Sequence, residues 1–407
     1  MNDSLRSALE RVLADAVADG SVPGAVAIVV DDLGVQGIAA AGVTRADGTG
    51  VALATDARFR LASMTKALAT VAALQLVDAG SMGLDDEVAT ILPVWNDLRV
   101  LDGWDGDQPR LRPPTTPATV RQLLSHTAGH GYYFFSPELL RYHGVTGLPT
   151  VLSGQRASLD APLTSDPGSR WEYGINTDWL GLVVEAVSGQ RLDDYLAEHL
   201  FGPLGMSGVT FQPDAADRAA MMAVHARTPD GGLAVTEVDL AAEPEWMAGG
   251  HGAVATADDY GRFIMMLLRG GVAPDGARVL SEELIDEAFS DQLGGLTYPA
   301  VIESAVPELT NHIVNLQVEQ SWGLGFHLTL EDLPGLRRAG TGDWAGIFNS
   351  YYWIDRVSGV GGAFLTQVLP FFDQRCLATA VAVEQATYAD LALTAETSRT
   401  AGPSIAT

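Results

Sequence analysis

The chain has 407 residues, 47% of them hydrophobic, enough apolar mass for a large core, and this sets it among globular proteins. Its 51 acidic residues outnumber 24 basic ones for a net charge of −27 with no long run of one sign, which excludes nucleic acid and anionic membrane surfaces as expected partners. Cys376 stands alone and excludes an internal disulfide; with no basic start or apolar leader at the N-terminus, and no run approaching ~18 apolar residues, a cytoplasmic protein without membrane spans is expected.

The first segment spaces Leu5, Ala8, Leu9, Leu13 and Val17 as the apolar face of an amphipathic helix. "GAVAIVV" and "VQGIAAAGV" follow, two β-prone runs parted by "DDLG", which predicts a hairpin. Next comes "RFRLASMTKALATVAAL" (58–74), apolar nearly all round and therefore a buried helix, starting near Ser63 and stopping at Gly80.

That helix carries the chain's only lysine, Lys66, in a sequence otherwise supplied with arginine. Ser63 lies three residues earlier, so the two side chains share a helix face. A serine hydroxyl is a poor nucleophile until a base removes its proton. Burial and the positive end of a helix dipole both push a lysine towards its neutral, proton-accepting form. Arginine cannot take that role because it does not deprotonate in proteins. The alternative for Lys66 is a stem lying along apolar surface with its charge in water.

Residues 86 to about 250 read as mostly helical, with "QPRLRPPTTPAT" (108–119) as the longest irregular stretch. "TVRQ" (119–122) matches a capping box, "DDYLAEHLFGPLGM" a helix stopped by Gly-Pro, and "TADDYGRFIMMLLRGG" a helix capped by Thr256 and ended by two glycines. The last third returns to strands in "SWGLGFHLTL", "GIFNSYYWID" and "AFLTQVLP". A closing helix over "QRCLATAVAVEQATYADL" and a loose tail "TSRTAGPSIAT" end the chain. Strands at both ends with helices between predict one sheet built from both termini: an α+β fold with an α/β domain over 1–85 and 251–407 and a mostly helical domain over 86–250.

A Ser-Lys pair needs a proton path to the leaving group and donors for an oxyanion. In "SRWEYGINTDWLGLVVEAVSG" (169–189), Tyr173 falls in a turn before a helix whose expected cap is Asn176 or Thr177. Its phenol is either held over a cleft or is an ordinary half-buried aromatic. The run Tyr132, Tyr133, Phe134 and Phe135 is either core or the wall of an acyl pocket, and Trp344 and Trp353 are open to the same two readings. "GTGDWA" (340–345) matches a dinucleotide fingerprint but opens the strand-like run "GIFNSYYW", and no acid follows about 20 residues on. His126 and His130 in "HTAGH" lack the intervening glutamate of a zinc motif. No metal or organic cofactor is expected, and no serine sits in a G-x-S-x-G elbow.

In order, "SMTK", "LLSHTAGH", "WEYGINTDWLG", "FGPLGM", "GGHGAVATADDYGRFIMMLL" and "WAGIFNSYYWID" resemble the serine β-lactamase and penicillin-binding protein superfamily. They are most similar to the class C-like family VIII carboxylesterases of the 1,4-butanediol diacrylate esterase type. The resemblance implies a β-lactamase-like fold, with Ser63 acylated and Lys66 and Tyr173 acting as base and proton shuttle. It also implies oxyanion amides at Ser63 and Ile347, and Trp344-Ala345-Gly346 in place of the Lys-Thr-Gly of β-lactamases. Asn176 stands one place later than the asparagine of the class C Tyr-x-Asn motif, where this chain has Ile175. Without that amide and that lysine, neutral esters are the expected substrates.

The expectation is a serine carboxylesterase acting on short-chain, small-molecule esters, as monomer or homodimer, with acyltransfer to alcohols open to the same intermediate. Tyr133, Phe134, Asn176, Trp344, Ala345 and Gly346 are the expected substrate contacts. The alternatives are a β-lactamase or D-amino-acid peptidase, and a non-catalytic binding protein of the same fold.

Overall fold

Helix α1 (Asp3–Ala18) is capped by the Asn2 side chain and buries the stripe Leu5, Leu9 and Leu13. The hairpin β1 (Gly24–Asp31) and β2 (Val35–Gly42) follows, then α2 (Thr65–Asp78), α3 (Asn176–Ser188) and α4 (Ala257–Leu268). Strands β3 (Gln320–Trp322), β4 (His327–Thr329), β5 (Thr341–Gly346), β6 (Ser350–Asp355) and β7 (Val360–Leu365) lead to the closing helix α5 (Gln374–Thr400). This is a computed structural model; it describes residues 2–400, with side chains to residue 393.

These strands form a seven-stranded sheet in the order β3-β4-β5-β6-β7-β1-β2, each neighbour antiparallel. The two ends of the chain meet where β1 pairs with β7, Val26 opposite Leu365 and Asp31 opposite Val360. Because side chains alternate along a strand, β1 feeds two cores: Ala25, Ala27 and Val29 pack with α1 and α5, and Val26, Ile28 and Val30 with α4. Each buried Val, Ile or Leu contributes roughly 1.5–3 kcal/mol. The sequence here is a continuous apolar run because both faces are covered.

Helix α2 is central to the larger core, with 11 of its 14 residues buried, so it has no solvent face on which a charge can rest. It ends at Ala79, and Gly80 adopts φ +67°, as its capping glycine requires. The capping boxes at Thr119 with Gln122 and at Thr256 with Asp259 both form. Among the described residues no helix is long and apolar enough to cross a membrane.

Several local expectations are corrected. Part of the stretch 108–119 is a strand: Gln108–Arg112 pairs with Val100–Asp105, and Pro109 is tolerated because a two-stranded ribbon has an edge where no N–H is needed. Gly202 and Pro203 do not stop their helix; a π turn over Ala197–Phe201 leads into a last turn containing both, and Gly205 at φ +67° ends it. "SWGLGFHLTL" is two strands, split where Gly325 turns at φ +81°. "TGDWAG" is a strand of its own, β5, joined to β6 by a turn with Asn349 at φ +62°. Helix α5 takes the first four residues of the expected tail, and the remainder lies outside the described residues.

Candidate active site

Ser63 sits in the short 3-10 turn Ala62–Met64 that feeds α2. Ala62, immediately before it, has φ +45°, a left-handed conformation that an alanine adopts only when its surroundings impose it. The end of β5 is part of those surroundings. A Cβ on Gly346 would stand 2.4 Å from the Leu61 carbonyl oxygen, so only glycine lets β5 approach the turn this closely. That approach sets Ile347 beside Ser63, and both line a narrow cleft with Tyr132, Phe134, Val151, Leu152, Leu240 and His251.

Lys66 is 1% exposed. Its Nζ lies 2.8 Å from the Gly250 carbonyl, 2.9 Å from the Tyr132 hydroxyl and 3.2 Å from Ser63 Oγ. The rings of Tyr132 and Tyr173 face it at 5.1 and 4.8 Å. Burial drives its pKa from 10.5 down to about 7, against the opposing pull of Asp178. A neutral amine has two N–H donors and one lone pair. The carbonyl takes one donor, the Tyr132 hydroxyl takes the other, and the lone pair is left for the Ser63 hydroxyl.

Asp178, on α3 and fully buried, accepts from the Gly250 amide at 2.8 Å and lies 3.4 Å from His251 Nδ1. Gly250 therefore links Asp178, through its N–H, with Lys66, through its C=O.

Tyr173 is 5% exposed, and its hydroxyl accepts a hydrogen bond from Trp344 Nε1 at 2.8 Å. Burial raises its pKa above the usual phenol value; hydrogen bonds with Ser63 and Trp344 offset only part of that, and Asp178 adds to it. Near neutral pH it is a phenol able to give and take a proton in one motion, not a phenolate. Trp344 stands edge-on to Tyr173 and to Trp322, at 4.9 and 4.7 Å between ring centres.

Ser63, Lys66, Tyr173, Ile347, Phe134 and Trp344 thus come together, with Ala345 buried between Trp344 and Gly346 on β5. Tyr133 does not join them: it is half-buried, its ring 5.6 Å from that of His143. Asn176 is also apart. It neither caps α3, which begins after Ile175 without a side-chain cap, nor reaches the cleft; it is fully buried with its amide nitrogen 2.9 Å from His126 Nδ1. Trp353 packs in the core beneath α1 and α5.

His126 and His130 are fully buried, each beside a tryptophan pair. Burial holds His126 well below the ordinary histidine range, with Lys66 adding to the effect, and lowers His130 to about 3, against Asp178. Both are neutral. Among the described residues no three His, Cys, Asp or Glu side chains form a metal-binding group.

The sequence reading named Tyr132 only as part of its aromatic run, without its contact with Lys66, and passed over Gly250 and Asp178. Tyr132 opens a turn in which the Phe135 and Ser136 N–H groups bond back to its carbonyl, so strand alternation could not have singled it out. The other two are set by contacts spanning 184 and 72 residues of sequence, which no local pattern announces.

A protein-family model described as Beta-lactamase matches residues 9–387. Monacolin J acid methylbutanoyltransferase of Aspergillus terreus is 32% identical over 357 residues, 83% of each chain. Lovastatin esterase of Penicillium rubens is 31% identical over 76% of this chain and 79% of its own. The unliganded structure of simvastatin synthase from Aspergillus terreus superposes with a TM-score of 0.80 at 28% identity, covering 96% of this chain and 99% of that one.

Proposed function

The chain belongs to the Beta-lactamase family, and from that premise we propose that it is a serine carboxylesterase that cleaves esters of short acyl chains through an acyl-Ser63 intermediate. The observation that carries the reading is the buried amine of Lys66, 3.2 Å from Ser63 Oγ and with a pKa lowered to about 7. Lys66 takes the Ser63 proton as the hydroxyl attacks the ester carbonyl. The amides of Ser63 and Ile347 receive the oxyanion. Tyr173, facing Lys66 and bonded to Trp344, passes the proton to the departing alkoxide. Water, activated by the same amine, then releases the acid.

Ester preference over β-lactams and peptides is supported by what the site lacks. By the resemblance, Trp344 stands where β-lactamases carry the Lys of Lys-Thr-Gly, and the Asn176 amide is fully buried with its nitrogen on His126, so neither a cation for a carboxylate nor that amide is offered to a substrate. The leaving-group side is bounded by Trp344 and Tyr173, with the buried Trp322 packed behind them, an apolar setting suited to an uncharged alcohol.

A second reading, transfer of the acyl group to an alcohol, is favoured by the relative that is named a methylbutanoyltransferase. The two share every step to the acyl-enzyme and part only in which hydroxyl attacks it. Incubation with p-nitrophenyl esters from acetate to decanoate, with and without added alcohol, followed by mass spectrometry of the peptide carrying Ser63, tests both. Short-chain turnover with acyl label on Ser63 supports the reading; label elsewhere, or nitrocefin turned over faster than p-nitrophenyl acetate, contradicts it.

A further inference from the structure

Next to the cleft at Ser63 lies a second, small cavity. Leu152, Leu240 and His251 line both, so these side chains are the partition between them. The direction in which the acyl group leaves the reaction centre follows from the other two directions. The oxyanion points to the amides of Ser63 and Ile347, and the leaving oxygen points to Tyr173. Ser63 and Ile347 line the front cleft, whereas Tyr173 and Trp344 are not among its lining residues. The front cleft is therefore on the acyl side, and the second cavity continues it.

The chemistry of the rear cavity is apolar. Phe211, Met221, Trp246, Met247 and Val254 supply much of its wall. Its charged groups are already paired within the protein. Arg60 holds Asp239 with Nε and Nη2 and gives Nη1 to the Met222 carbonyl. Arg218 gives Nε and Nη2 to the carbonyls of Pro213 and Ala241, and its Nη1 lies 3.6 Å from Asp239. His251 turns Nδ1 to Asp178 at 3.4 Å. The arginine bonds leave neither guanidinium free for a ligand, and they clamp residues 239–241, so that Leu240 between the two anchored neighbours is held in place while itself only half-buried.

Resting on the esterase reading above, we propose that Leu240 sets the upper limit on acyl length, and that the apolar space behind it becomes an extension of the acyl site for a neutral aliphatic chain once that side chain is trimmed. With Leu240 present, chains end at the partition; trimming it joins the two cavities. The step is one of binding and orientation only, and leaves the chemistry at Ser63 unchanged.

The test is the ratio of kcat/KM for p-nitrophenyl octanoate to that for p-nitrophenyl acetate, which cancels differences in the amount of active protein. Leu240→Ala is expected to raise this ratio at least ~10-fold, from the added methylenes that become buried. Met221→Trp added to Leu240→Ala refills the rear cavity and is expected to return the ratio to within about threefold of wild type. A smaller rise in the single variant, or a rise that the double variant keeps, overturns the inference. Leu240→Trp probes the same partition in the opposite sense and is expected to lower the butanoate to acetate ratio at least about threefold; an unchanged ratio there overturns it even if the alanine variant does not fold. Failure of wild type to hydrolyse either ester, or acyl label away from Ser63, is a different pattern and sinks the esterase reading itself.

Discussion

The amine of Lys66 lies 3.2 Å from the Ser63 hydroxyl, within reach of its proton, and its other two contacts are with the Gly250 carbonyl and the Tyr132 hydroxyl. The pair acts as a unit, so Ser63→Ala and Lys66→Arg are each expected to lower ester turnover by at least ~10³-fold. Arginine keeps the charge and loses the base. Steady-state kinetics on p-nitrophenyl acetate checks this; wild-type-like rates in Lys66→Arg would place the proton acceptor elsewhere.

The sign of the pH dependence follows from the same amine. Below about 7 Lys66 is protonated and cannot accept from Ser63, so kcat/KM is expected to fall about tenfold per pH unit on the acid side and to level off above. The Tyr132 hydroxyl accepts from Nζ and so favours the charged form. Tyr132→Phe is therefore expected to move the acid limb to lower pH. A limb that stays in place, or moves up, contradicts the contact as described.

Tyr173 accepts a hydrogen bond from Trp344, and as a phenol its expected task is handing a proton to the leaving oxygen. An alkoxide needs that proton far more than p-nitrophenolate does. Tyr173→Phe is thus expected to cost at least ~10²-fold on an alkyl ester and distinctly less on the p-nitrophenyl ester of the same acid. Equal losses on both would assign the tyrosine to positioning rather than proton transfer.

Gly346 allows β5 to touch the nucleophile turn. In Gly346→Ala the new Cβ meets the Leu61 carbonyl at 2.4 Å, so strand or turn must move and carry Ile347 away from Ser63. The expected result is a loss of ~1–3 kcal/mol in thermal stability together with at least ~10²-fold in kcat. Calorimetry and kinetics on one preparation check it, and an active, undisturbed variant would show that this approach is not needed.

Much of this was legible in the residues themselves. A lone lysine one turn from a serine on an all-apolar helix states its own chemistry, because such a helix has no solvent face for a charge. The Thr119 and Thr256 boxes and the first hairpin are equally local. What escaped depends on local geometry or on distance. Tyr132 instead of Tyr133 rests on how a turn over 133–135 aims neighbouring side chains, where a shift of one position reverses the answer. Gly250 and Asp178 reach Lys66 only through the fold. The Gly202-Pro203 step misleads because a π turn ahead of it lets the helix continue.

The most direct measurement uses the chain's single lysine. With lysine labelled at its terminal carbon and nitrogen, the native protein gives one side-chain NMR resonance, free of overlap, whose pH titration reports Lys66 alone. The account predicts a midpoint near 7 that is lost on unfolding. A midpoint near 10.5 in the folded protein, the value of an ordinary exposed lysine, would leave Ser63 without its base.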